Sequence, residues 1–150
     1  MPPRRWSEQI AGICWLPRLI DKARAALAGT LGDYLFGQSP TDRGLLYELG
    51  LSHREFAAIV LRAPDDEAVL ASIAQRNPNA LDRARAWSEP LAREHRLFLW
   101  LIDVDDGYRG ARWMHRPANA MAGAFTRTIK RLWPSQAAER AKVEADEAAS

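Results

Sequence analysis

At 150 residues, 47% hydrophobic and 27% charged, the chain is long enough to bury a core and form one compact domain. No apolar run is longer than that of Leu97 to Ile102, far short of the roughly 20 residues that cross a bilayer, so no membrane span is expected. Met1 to Gln9 carries arginines but no following apolar stretch, and Cys14 is the single cysteine, which excludes an internal disulfide or a thiolate metal cluster. A reducing, cytoplasmic setting is the expectation. The formal net charge of +2 is unevenly spread, because residues 108–134 hold six basic and no acidic side chains.

Helical periodicity runs from end to end and strand-like alternation is missing, which predicts an all-α bundle of about six to seven short helices. Ser7 is placed to cap a short helix carrying Ile10, Ile13 and Cys14. Pro17 suits a first turn, and a helix from about Pro17 to Ala28 sets Leu16, Leu19, Ile20, Ala23, Ala26 and Leu27 on one face, with Arg18, Asp21, Lys22 and Ala25 opposite. Gly29 stops it. Thr41 or Asp42 caps the next helix, through Leu45, Leu46 and Leu49, which ends at Gly50. Ser52 and Glu55 have the spacing of a capping box before Phe56, Ile59 and Val60.

Asp65, Asp66 and Glu67 open a helix with negative charge at its positive end, carrying Val69, Leu70 and Ile73 inward until Asn77-Pro78-Asn79 breaks it. A short helix through Leu81, Ala84 and Trp87 follows. The chain restarts at Pro90, with Leu91, His95, Phe98, Leu99 and Ile102 at helical spacing up to the acidic turn Asp103 to Gly107. Ala118, Met121, Ala122, Phe125, Ile129, Leu132 and Trp133 form the apolar stripe of a C-terminal amphipathic helix that Pro134 closes. Residues 1–134 are expected to form the domain, and 135–150 a frayed, disordered tail.

The block Leu16-Pro17-Arg18-Leu19-Ile20-Asp21-Lys22-Ala23-Arg24, continued by Leu27-Ala28-Gly29-Thr30-Leu31-Gly32-Asp33-Tyr34, resembles the signature of a bacterial domain family of unknown function. Leu46 to Leu51, Glu55-Phe56, Asp65 to Leu70, Ala86-Trp87 and Phe98 to Gly107 are similar to later elements of that family, over about residues 7–107. The resemblance implies a small, mostly helical domain and brings no activity and no catalytic residues. Two positions depart from the pattern: Ser72-Ile73 stands where an aromatic step is expected, and the segment before Trp87 is shortened.

Candidate chemistry gathers in that same block. Arg18, Asp21, Lys22 and Arg24, with Thr30 and Tyr34 from the following turn, have the donors to hold a small anionic ligand, since a guanidinium forks onto carboxylate or phosphate oxygens. The same residues also read as a solvated face with pairs from Arg18 to Asp21 and Asp21 to Arg24, or as a buried pair tying the helix to the turn. A non-enzymatic binding or adaptor domain using Arg18, Lys22 and Tyr34, with an unknown protein or small anion as partner, is the leading expectation. The alternative is nucleic-acid or anionic-surface binding through Arg109, Arg112, Arg116, Arg127, Lys130 and Arg131. An enzyme built on Asp21, Arg24 and Tyr34 ranks third, because hydrolase, phosphate-transfer and dinucleotide motifs are missing. Gly29-Thr30-Leu31-Gly32 matches a KH-type GxxG only weakly, for lack of flanking strands. Asp103, Asp105 and Gly107 are misspaced for a calcium loop, with Met114 where the closing glutamate would stand. His53, His95 and His115 lack ligand spacing, so neither metal nor cofactor is expected.

Overall fold

The computed structural model describes residues 1–108 together with 117, 120, 121, 123–125, 127 and 128. A two-strand hairpin, β1 (Gln9–Ile10) and β2 (Ile13–Cys14), precedes seven helices: α1 (Leu16–Leu27), α2 (Pro40–Leu49), α3 (His53–Arg62), α4 (Asp66–Arg76), α5 (Ala80–Ser88), α6 (Leu91–Glu94) and α7 (Arg96–Asp105). The fold is therefore mostly helical, as its periodicity predicts.

The hairpin replaces the helix expected after Ser7. Ala11 and Gly12 both have positive φ, 52° and 75°, the geometry of a tight two-residue turn that pairs Ile10 with Ile13 and Gln9 with Cys14. The spacing of Ile10, Ile13 and Cys14 is compatible with a helix, but a left-handed pair of residues ends any helix. Arg85 of α5 holds the turn through a 2.9 Å bond from Nε to the Ala11 carbonyl.

Helix α1 is the centre of the molecule. Leu16, Leu19, Ile20, Ala23 and Ala26 enter the core with Leu45, Leu49, Phe56, Val60, Val69 and Ile73 from α2, α3 and α4. It packs against α3, while α2 lies on α5, and α5 also meets β2 and α4. The cap of α2 is Ser39, whose hydroxyl accepts from the Asp42 N–H at 3.2 Å, with Pro40 at the first position. Thr41 and Asp42 thus fall inside the helix. The Ser52–Glu55 capping box forms on α3, and Asp65 caps α4.

Beyond Pro90 the expected single helix is interrupted at His95 (φ −119°, ψ 29°), which separates α6 from α7. Leu99 and Val104 of α7 are buried, whereas Leu97, Phe98 and Trp100 are exposed. The described positions between 117 and 128 are helical, with Met121 and Phe125 exposed. The rest of the expected amphipathic helix and the tail lie outside the described residues. No helix among the described residues is long and apolar enough to cross a membrane.

Candidate functional site

A helix drawn as a wheel has a wet face, but on α1 Arg18 and Lys22 are not part of one. Arg18 and Lys22, placed opposite the apolar stripe, are each only 4% exposed, because the loop after α1, the start of α2 and the end of α7 close over them. The solvated-face reading fails for these two residues, and the expected Arg18–Asp21 and Asp21–Arg24 pairs give way to partners far along the chain.

Asp42, fully buried in the first turn of α2, is the partner of Lys22, whose Nζ lies 2.6 and 2.7 Å from the two carboxylate oxygens. The same carboxylate accepts the Trp15 Nε1–H at 2.8 Å and the Gly37 N–H at 2.9 Å. Desolvation pulls the Lys22 amine below its ordinary value, against the opposing pull of Asp42. Four hydrogen bonds to one carboxylate satisfy nearly all of its lone pairs, which makes a buried charge pair tolerable.

Asp106, just past α7, plays the matching part for Arg18. It accepts from Arg18 Nη1 at 2.6 Å and from the Tyr34 hydroxyl at 2.9 Å. Burial first, and the Asp106 charge second, push the Tyr34 hydroxyl well above the usual phenol range. The Arg18 guanidinium lies over the rings of Trp15 (5.4 Å) and Tyr34 (5.7 Å). Trp15 itself stands at the head of α1 with φ 68°, a left-handed conformation that a bulky side chain rarely takes.

An N-terminal arm completes the network. Arg4 grips Asp21 through Nε (2.9 Å) and Nη2 (2.8 Å) and reaches Asp66 of α4 through Nη1 at 2.6 Å. Arg24 pairs with the other Asp66 oxygen at 2.8 Å. Arg5 holds the buried Asp103 through Nε (2.9 Å) and Nη2 (2.5 Å). Asp103 and Asp106, which look in sequence like an acidic turn, are counter-ions to two arginines.

Two clefts border this network. One, of about 710 Å³, lies under the N-terminal arm and brings together Asp21, Arg24, Thr30 and Tyr34, with Lys22 at its edge. The other, of about 590 Å³, has Trp15, Arg18, Lys22 and Tyr34 for its floor and Asp33, Leu35 and Ser39 on one side. Its far wall is apolar: Phe98, Leu101 and Ile102 of α7, with Met121 and Phe125. Arg18 and the Lys22–Tyr34 side of the expected site are thus gathered in the second cleft, and Asp21, Arg24 and Thr30 in the first. Neither Trp15 nor the α7 wall was legible as site material, since each looks like core in sequence.

The loop Gly29 to Gly32 stops α1: Gly29, Thr30 and Gly32 are exposed, while Leu31 is buried in the core. Of the basic residues proposed for anionic surfaces, Arg127 is exposed, and Arg109, Arg112, Arg116, Lys130 and Arg131 lie outside the described residues.

Among curated proteins, none matches the chain. A family model does match it, over residues 1–96, so the arm carrying Arg4 and Arg5 falls within the match, and α7, expected inside it, falls almost wholly beyond. The chain belongs to the family described as a domain of unknown function, DUF5069.

Proposed function

We propose that this is a non-enzymatic binding module whose ligand enters the cleft between α1, the loop 33–39 and α7. One observation carries the reading: an open cavity of about 590 Å³ with an apolar wall over a floor of fixed polar groups. Ligand sites are typically of about 300 to 1,000 Å³, largely apolar, with a few convergent polar groups. Phe98, 42% exposed, stands on that wall, so apolar surface is open to a ligand without unfolding anything. The floor is rigid, because Arg18, Lys22 and Tyr34 are each tied to a carboxylate. Cys14, half-buried and unpaired, fits a reducing compartment such as the cytoplasm.

The neutral fluorescent probe N-phenyl-1-naphthylamine tests the cleft. Its emission is expected to rise saturably at one site per chain, and Leu101→Glu to abolish the rise while the circular dichroism spectrum stays that of the wild type. A signal unchanged in Leu101→Glu, or no signal in the wild type, would refute the site.

A further inference from the structure

Arg18 has an unused edge. Both hydrogen bonds that it donates leave from Nη1, to Asp106 and to the Arg4 carbonyl. Its Nε is buried without a partner among the described residues, and its Nη2 donates to none of them. A buried donor left unpaired is costly, so an arginine held in this state calls for an acceptor. Nε and Nη2 together form the side-on fork of a guanidinium, whose two parallel N–H groups match a carboxylate. Elsewhere in this molecule the same edge holds Asp21 on Arg4 and Asp103 on Arg5. The rings of Trp15 and Tyr34 both contact the Arg18 guanidinium, and Arg18 lines the apolar-walled cleft.

The charge around this fork narrows the ligand. Lys22 is neutralised by Asp42 and Arg18 by Asp106, while Asp33 adds a further carboxylate to the lining. Asp33 is exposed and makes no ion pair among the described residues. Among the described residues a bare anion meets no net positive field here. An anion that carries its own cation does better, with its carboxylate on the fork, its cation toward Asp33, and an apolar body against Leu101 and Ile102.

We infer that the cleft binds a small zwitterion of the amino-acid type with an apolar side chain, its carboxylate on the Nε/Nη2 edge of Arg18 and its ammonium facing Asp33. The inference rests on the cleft being the binding site, and the two are separated by displacing the naphthylamine probe with three compounds that differ by one group. L-Phenylalanine is expected to displace it, with hydrocinnamate (no ammonium) and phenethylamine (no carboxylate) each weaker by about tenfold or more, the usual scale for one charge-assisted contact. Arg18→Lys keeps a positive charge beside Asp106 but has no fork. Relative to probe affinity measured on the same variant, it is expected to lose about tenfold for phenylalanine and hydrocinnamate and nothing for phenethylamine. Asp33→Asn, a surface change that does not threaten the fold, is expected to weaken phenylalanine and phenethylamine and spare hydrocinnamate. Probe binding that survives while all three compounds displace it equally, or none does, overturns the zwitterion and leaves the cleft. Absence of probe binding overturns both.

Discussion

At the scale of single residues the molecule is organised by carboxylates that hold buried cations. Asp42 collects Lys22, Trp15 and Gly37, and Asp106 collects Arg18 and Tyr34. Removing one member of such a pair strands the other charge away from water, which costs far more than the pair contributes when intact. Lys22→Met is accordingly expected to lower unfolding free energy by about 3–5 kcal/mol. The double variant Lys22→Met with Asp42→Leu should recover part of that loss, as read by urea denaturation. A double variant as unstable as the sum of its single changes would mean that the two residues act separately. Neither pairing is visible in sequence, because lysine and arginine at the positions opposite an apolar stripe are the pattern of a wet helix face. Burial was decided by what arrived from residues 33–42 and 103–106.

Elements meet through close backbone contacts as much as through side chains. Gly37 has φ 74°, and a Cβ built there would lie 2.5 Å from the Cβ of His53 at the start of α3. Its N–H also feeds Asp42, so this one residue sets the distance between the loop and two helices. Gly37→Ala is expected to cost about 1–3 kcal/mol, from the left-handed backbone and the shift forced on α3. Gly29→Ala, with the same sign of φ but open space around it, is expected to cost less. Equal losses in thermal unfolding of the two variants would show that packing on α3 contributes nothing.

Caps and stops, being written within four residues, are the legible part at this scale: the Ser52–Glu55 box, the acidic opening of α4 and the Gly29 and Gly50 stops all form. At Ser39 and at Ala11-Gly12 the structure differs from the local pattern, which points to Thr41 or Asp42 as the cap and to a helix after Ser7. In each, two local patterns competed, and tertiary partners selected between them: Asp42 was drawn into the core by Lys22, and the hairpin turn was held by Arg85.

For the whole molecule, the N-terminal arm acts as a strap. Arg4 joins α1 to α4 and Arg5 joins the arm to α7, across 62 and 98 residues of sequence. Arg5→Ala removes the bidentate partner of the buried Asp103, and a loss of about 1–3 kcal/mol is expected in chemical denaturation, with α7 losing hydrogen-exchange protection first. Unchanged protection in α7 would show that the strap is dispensable.

Stability should also fall in acid. Burial opposes ionisation of Asp66, but hydrogen bonding and charge from Arg4, then Arg24, hold it below the usual carboxylate range; the Ser52 N–H does the same first for Glu55, against its own desolvation. A lowered folded value means that the unfolded chain takes up protons first as pH drops. Their contribution is complete above about pH 5, begins to fall near the unfolded values of about 4, and is lost as pH drops through the lower folded values. The urea midpoint should therefore drop between pH 5 and pH 3, and less steeply in Asp66→Asn. Identical slopes would remove Asp66 from the account.

Sequence alone determined the helical class, most helix ends and the apolar members of the core, because periodicity, caps and glycine stops act over a few residues. Tertiary structure alone decided which charges are buried, which acids are counter-ions, and that α7 leaves an apolar wall facing Arg18. The physical reason is distance along the chain: Lys22 meets Asp42 over 20 residues and Arg18 meets Asp106 over 88, and a charge enters a core only when its partner comes with it.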